Sequence, residues 1–345
     1  MDTQSISALR ASVWYKKLFA DVSTMLFMDK FMGEGDNNPI QVITELQKSP
    51  GDNIVVPLTV KLTDGGIEGD DEAEGNEEEI VSYSFSASIN QLRKPIRLKG
   101  KMDERKVAYN MRSDAKEKAK IWWAERFDRE CLSKLSGDTT GALTSSRTFA
   151  NTPTAPSTNR IVYAGGVSAE NSLTAAMKMD TKVLDAAKQK AKLASPKVRA
   201  IKMEESAYKG EDMYVAILHS YQMTDLKQDP VYNQAVREAG EKGKGNQLFT
   251  GAHGIYNGII LHEHELAYTF SNNGSVACAR GLLLGQQAAV FIKGRDAEWV
   301  EKSFDFGNKW AICAGYIFGV QKTKFNSEDY GMITMSTAAT VASTA

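Results

Sequence analysis

Histidine and cysteine are scarce in this chain of 345 residues, which has four and three of them. The cysteines, Cys131, Cys278 and Cys313, are odd in number, widely spaced and set among apolar residues, with no CxxC. That pattern argues against a disulfide framework and reads as small buried thiols of a reducing compartment. No apolar run approaches the ~20 residues of a membrane span. Met1 to Phe19 is polar, carries Lys16 and Lys17 in its middle and lacks the apolar stretch of a signal peptide. The chain is therefore expected to be made in the cytoplasm. Phosphate-loop frames and the GxSxG elbow are also missing. Ser, His and Asp are present, but no spacing places them together, so no motif supports an enzyme.

What the chain does have is segregated charge. Its net charge is −1, with 42% hydrophobic and 25% charged residues, ordinary for a soluble globular protein of one or two domains. Between two β-patterned segments lie nine carboxylates: Asp64, Glu68, Asp70, Asp71, Glu72, Glu74, Glu77, Glu78 and Glu79. After the second segment come Arg93, Lys94, Arg97, Lys99, Lys101, Arg105 and Lys106. The first segment alternates Ile54, Val56, Leu58, Val60 and Leu62 with Val55, Pro57, Thr59 and Lys61. The second alternates Val81, Tyr83, Phe85, Ala87 and Ile89 with Ser82, Ser84, Ser86, Ser88 and Asn90. Period two of this length predicts a long hairpin over roughly residues 51–100. A tip this acidic cannot be buried unpaired, and an isolated hairpin is marginal in water. The arm is expected to pack on something else, with another copy of the chain as the natural candidate. An acidic tip and a basic base suit head-to-tail contacts between copies.

Ahead of the arm, Trp14, Leu18, Val22, Met25 and Met28 recur at helical spacing, and the Gly33–Pro39 stretch ends that helix. Behind the arm, a long helix is predicted over about 103–136, with Asp103 as N-cap and Gly137 at C′. Ala108, Ala115, Ala119, Trp123, Phe127, Cys131 and Leu135 give it an apolar stripe. It reads as a structural spine. Residues 137–166 look like a long surface loop. A second helix starts at Asp180 or Thr181 and ends before Pro196. Strands are expected over 213–220, 254–266, 282–292, 310–322 and 331–337, with a short helix from Asp229-Pro230 through Ala239.

Two constellations suggest metal chemistry. His262 and His264, around Glu263, point to one face if the segment is a strand, with His219 or His253 as a third ligand. A strand face with alternating polar residues explains the same pattern, and no HExxH helix occurs. The acidic tip matches an EF-hand at Asp70, Glu72, Glu74 and Gly75 but fails at position twelve, where Val81 stands in place of the bidentate Glu. A solvated or partner-facing charge run accounts for it better. The basic run lacks interleaved aromatics, which argues for loose polyanion contact or ion pairing over specific nucleic-acid recognition.

The order of elements, arm segment, long hairpin, spine helix, mixed α/β region and late strands, resembles the tailed-bacteriophage major capsid proteins of Hong Kong 97-like fold. Local stretches are similar to the coat proteins of phages like enterobacterial phage N-four. They are Gly51-Asp52-Asn53-Ile54-Val55-Val56-Pro57-Leu58, Gly75-Asn76-Glu77-Glu78, Gly100-Lys101-Met102 and Asn159-Arg160-Ile161-Val162-Tyr163-Ala164-Gly165-Gly166. Later come Asp225-Leu226-Lys227-Gln228-Asp229-Pro230, Phe249-Thr250-Gly251-Ala252, Tyr256-Asn257-Gly258 and Asp329-Tyr330-Gly331-Met332-Ile333. The resemblance spans nearly the whole chain in one order.

It implies an α+β fold with an N-arm (1–48), an extension loop (49–102), a peripheral domain (103–169, with return strands at 286–345) and an axial domain (170–285). It implies a virion protein, assembled in the host cytoplasm into hexamers and pentamers of an icosahedral shell around double-stranded DNA. It brings no catalytic residue, cofactor or metal and no membrane, and the arm and spine helix are expected to tilt on maturation. Intersubunit contacts are expected from the nine carboxylates, Tyr83, Phe85, Arg93, Lys94, Arg97, Lys99 and Lys101, with the arm burying Tyr83, Phe85 and Ile89, or their opposite face, on a neighbour. With only about 48 residues before the arm, assembly is expected to use a separate scaffolding protein or none. Portal or decoration proteins, and loose contact with packaged DNA, fit the same reading. Two alternatives stand beside it: a host nanocompartment shell of the same fold, and a metal enzyme built on His262 and His264.

Overall fold

A computed structural model describes residues 22, 25–47, 50–59, 62, 65–68, 74, 75, 77–106, 111–141, 143, 149–203, 210–238, 254–272 and 276–340. The strands in chain order are β1 (Met32–Gly33), β2 (Ile40–Ile43), β3 (Asn53–Thr59), β4 (Ser82–Ser88), β5 (Asn90–Arg97) and β6 (Ile161–Tyr163). They continue with β7 (Ile201–Lys202), β8 (Asp212–Leu218), β9 (Gly254–Tyr256), β10 (Ile259–Glu263), β11 (Thr269–Ser271) and β12 (Ala277–Leu284). The last are β13 (Ala289–Phe304), β14 (Lys309–Lys322), β15 (Lys324–Phe325), β16 (Glu328–Asp329) and β17 (Met332–Ala338). The helices are α1 (Lys101–Lys106), α2 (Met111–Ser136), α3 (Thr181–Leu193), α4 (Ser220–Gln228) and α5 (Pro230–Glu238).

Among the described residues these strands form two main sheets. One has the order β1-β2-β13-β14-β5, and its centre is the long antiparallel β13–β14 pair. The other has the order β6-β17-β12-β8-β10-β9, with β11 on β12 and β7 on β8. The expected return strands of 286–345 therefore divide. β13 and β14 build the first sheet, and β17 joins the second beside β12 and β6. No helix among the described residues is long and apolar enough to cross a membrane.

The spine is α2. Its stripe Ala115, Ala119, Trp123, Phe127, Cys131 and Leu135 is buried at every step of four, as helical spacing demands. Phe127 and Phe149 each place a ring 4.7 Å from Phe318 of β14. At 1.5 Å per residue, α2 is about 39 Å long. The helix expected over 103–136 falls on α1 and α2, with 107–110 outside the described residues, and its expected start needs correction: α1 opens at Lys101, where Gly100 O accepts the Asp103 and Glu104 N–H groups. Asp103 thus lies in the first turn and is not the cap. Gly137 closes the spine with φ +66, and a Cβ there would come within 2.4 Å of Thr154 O. Glycine meets both the left-handed conformation and the close approach.

β8 reads Asp-Met-Tyr-Val-Ala-Ile-Leu because both of its faces are buried. Met213, Val215 and Ile217 share a core with the spine. Tyr214, Ala216 and Leu218 pack with Leu184, Ala187 and Ala191 of α3. Asp180 caps α3 by accepting the Val183 N–H at 3.0 Å. The expected strand to 220 stops at Leu218, because His219 turns into the N-cap of α4, forming a capping box with Gln222. That helix has no counterpart in the sequence expectation. The loop expected over 137–166 also contains β6, which pairs in parallel with β17.

Candidate assembly surfaces

The arm forms as expected. β3 and β4 pair antiparallel with Ile54 opposite Ala87, Val56 opposite Phe85 and Leu58 opposite Tyr83, so the apolar sets share one face. That face has a core within its own chain. Ile54, Phe85 and Ala87 bury against Val290, Ile292, Phe325 and Tyr330, with Tyr83, Val56, Leu58 and Ile89 packed around them. Phe85 is 6% exposed and meets Phe325 edge-on at 6.1 Å. Of the two faces expected to meet a neighbour, the one carrying Phe85 is therefore filled by its own chain, with Tyr83 and Ile89 half-buried beside it. The opposite face stays open: Val55, Pro57, Ser82, Ser84 and Ser86 are exposed, Val55 by 62%.

The arm's base is locked by close backbone approaches. Asn151 Nδ2 donates to Ser88 O at 2.9 Å and to Val320 O at 3.1 Å, and Asn151 Oδ1 accepts Ser88 N–H at 2.9 Å. A Cβ at Gly319 would stand 2.2 Å from Ser88 O. Only a glycine on β14 lets the arm leave the sheet at that point.

At the tip, Glu68, Glu74, Glu77, Glu78 and Glu79 are exposed. Asp64, Asp70, Asp71 and Glu72 lie outside the described residues. The basic run does not gather into a cluster. Arg93, Lys94 and Arg97 lie on the edge strand β5, paired with β14, and Lys99 and Lys101 follow it. Arg93, Arg97, Lys99 and Lys101 are exposed. Lys94 Nζ sits 4.8 Å over the Trp122 ring, and the Arg97 guanidinium 5.0 Å over Phe304. Pro95 falls on this edge, where a missing N–H costs no ladder bond.

The histidines take a structural part. His262 is fully buried with its ring 5.0 Å from Phe31, and Lys30 Nζ stands 3.3 Å from its Nδ1. A cation therefore occupies the neighbourhood where a metal would bind. His264 lies beyond the end of β10, 4.3 Å from Phe27, with Nδ1 accepting the Leu266 N–H. His253 lies outside the described residues. Among the described residues no group of three or more His, Cys, Asp or Glu is placed to hold a metal ion.

These histidines line one side of a seat for the N-terminal segment. On the other side, Asp128 of the spine accepts the Phe27 and Met28 N–H groups at 3.1 and 3.0 Å. It thus satisfies the start of a short 3-10 helix, Met28–Phe31, whose own residues supply no side-chain cap. Burial pushes the Asp128 carboxyl up to about 6, against the pull of those two N–H groups and Lys30. Burial pushes Lys30 down to about 8 and His264 down to about 4, the latter helped by the positive charge of Lys30 and by His219. Sequence reasoning missed Asp128. Its signal was a carboxylate on the apolar stripe of the spine, beside Phe127 and Cys131, where a charge needs partners.

The phage capsid protein family model matches residues 2–341 of the chain. The chain belongs to this family. It is 29% identical over 362 residues to the major capsid protein of Pseudomonas phage KPP25, covering 95% of both chains. In structure it is similar to the capsid of Ralstonia phage GP4, with a TM-score of 0.79 and 26% identity over 92% of each chain. It is also similar to the cyanophage Pam1 capsid, with a TM-score of 0.75 and 20% identity over 90% of this chain and 92% of that one. The fold is Hong Kong 97-like. The chain is thus a structural component of the phage virion, a major capsid protein whose copies build the shell.

Proposed function

We propose that this capsid protein assembles through heterologous contacts into hexamers and pentamers of an icosahedral shell enclosing double-stranded DNA. The observation that carries this is the two-sided arm. Its apolar face is filled by its own chain, and its outer face of Val55, Pro57 and a serine row is open. A neighbour's surface covers that outer face. The N-arm (1–48), extension loop (49–102), peripheral domain (103–169 and 286–345) and axial domain (170–285) are the units of this subunit, with β6 and β17 of the peripheral ranges joining the sheet of the axial domain.

The exposed tip carboxylates and Arg93, Arg97, Lys99 and Lys101 set register and partner choice. Buried apolar area supplies most of the affinity, at ~25 cal/mol per Å². A scaffolding, portal or decoration protein, and non-specific contact with DNA, complete the set of partners.

The test is deletion of residues 64–79 in the full chain, followed by sedimentation velocity. Wild type sediments as closed shells, and the deletion stays as small oligomers. A deletion that assembles like wild type removes the tip from the interface. A wild-type chain that stays monomeric under all conditions, even with a scaffolding partner, refutes the architecture.

A further inference from the structure

Four cations stand together away from the basic run on β5. Lys192 at the end of α3, Lys197 and Arg199 on the segment entering β7, and Lys202 in β7 line a cleft of about 570 Å³. All four are exposed. None forms an ion pair with another of the described residues.

Their backbone is held rigid. Val198 and Ile201 are buried, so the cations alternate outward with anchors inward. Val198 N–H donates to Ala191 O at 3.1 Å, and Gln286 N–H donates to Arg199 O at 2.9 Å. The Asn37 side-chain amide pairs with both backbone groups of Lys202, at 2.7 and 2.8 Å. A Cβ at Gly285 would lie 2.3 Å from Arg199 O, so the neighbouring strand end is shaped to admit this segment. Asp36 and Asp212 also line the cleft. Asp36 is engaged by the Gln41 and Gln287 amides, and Asp212 lies near Lys188. Four cations against two carboxylates leave a positive excess on a preorganised surface.

The chain presents its complement elsewhere, in the exposed Glu68, Glu74, Glu77, Glu78 and Glu79 of the arm tip. We propose that the acidic tip of one copy docks on the Lys192–Lys202 cleft of a second copy. This rests on the shell reading and deepens it by naming the acceptor. The β5 run fits less well, because Lys94 and Arg97 are already stacked on rings of their own chain. Single exposed ion pairs contribute little. An array of charges on a fixed surface, meeting an array of opposite sign, selects partner and register.

The first test is zero-length carbodiimide cross-linking of full-length chains mixed from isotope-labelled and unlabelled preparations. Mass spectrometry should find isotopically mixed links from Glu77, Glu78 or Glu79 to Lys192, Lys197 or Lys202. Mixed links only to Lys94, Lys99 or Lys101, or no mixed links, overturn the proposal. This readout works on any oligomer, so it decides the docking even if wild type forms no shells, a result that would refute the shell reading instead.

The second test is charge reversal. E77K/E78K/E79K and K197E/R199E/K202E should each lower shell yield about tenfold or more, and their combination should restore it to within about threefold. Rescue of the tip reversal by R93E/R97E/K99E instead counts against the cleft. So does a cleft reversal that assembles normally, and one that loses only binding to a 20-base-pair duplex assigns the cleft to nucleic acid. The neutral set K197Q/R199Q/K202Q, with circular dichroism of the unassembled chains, separates lost docking from lost folding.

Discussion

Two titrating groups grip the same N-terminal segment from opposite sides, and their acid responses have opposite sign. Asp128 rises from 3.8 to about 6 through burial. A carboxyl whose folded value lies above its unfolded one makes the native state bind the extra proton. Its contribution is therefore gained as pH falls through 6 and lost as pH rises through it. Between pH 7 and pH 5 this amounts to about 1.3 kcal/mol in favour of the fold. His264 falls from 6.5 to about 4, again through burial, with Lys30 and His219 adding positive charge. Here the unfolded chain binds the proton first, so stability is lost as pH falls from about 6.5 towards 4. Over the same interval that loss is about 1–2 kcal/mol, reduced by the partial exposure of the ring. Asp29, itself raised by burial, and Lys293 beside it face the same region. The wild-type chain should therefore show little net change from this seat between pH 7 and pH 5, while single substitutions uncover each half. Asp128→Asn keeps the shape and removes the acid-side gain, so it should lose about 1 kcal/mol more than wild type on going to pH 5. His264→Gln should do the reverse. Urea unfolding of the unassembled chain at the two pH values, read as the difference between each variant and wild type, isolates one group at a time. If Asp128→Asn and wild type keep the same difference at both pH values, Asp128 does not titrate in this window and the seat is not as buried as its contacts imply.

Phe85→Ala should cost about 3–4 kcal/mol locally, seen as faster amide exchange across 53–59 and 82–88 in the unassembled chain. Unchanged exchange there would mean that a neighbour, and not the chain's own Phe325, holds the arm. Gly137→Ala places a Cβ in a left-handed turn 2.4 Å from Thr154 O. It should cost roughly 2–4 kcal/mol, read by thermal unfolding, and a loss under about 1 kcal/mol would mean that the 149–157 loop yields freely.

The most legible parts of the fold were those in which one residue period runs unbroken. The step of four from Ala115 to Leu135 marked the spine, and the two runs of period two, 54–62 and 81–90, marked the arm. The start of α1 was misread because Asp103 suits both a cap and a first turn, and the choice fell to the Gly100 carbonyl. α4 was hidden because His219 continues the alternation of β8 before its ring turns to cap the next helix. The arm's own core was illegible for a different reason. Its partners Val290, Ile292, Phe325 and Tyr330 lie more than 200 residues downstream, and periodicity carries no information about which distant face fills a gap. Asp128 and the cleft cations belong to the same class. Each is an ordinary charge in sequence, and it acquires a role only when the fold brings Phe27, or a second cation, beside it.

Copies of this chain should form a closed shell in which the open face of the arm is covered by a neighbour. Electron cryomicroscopy of the expressed full-length protein tests it most directly. The expected result is closed icosahedral particles with pentamers at the vertices and hexamers between them, Phe85 packed on Phe325 of its own chain, and Val55 and Pro57 buried against the next subunit. Closed shells with Val55 and Pro57 facing solvent in every subunit, or a chain that never closes, would contradict it.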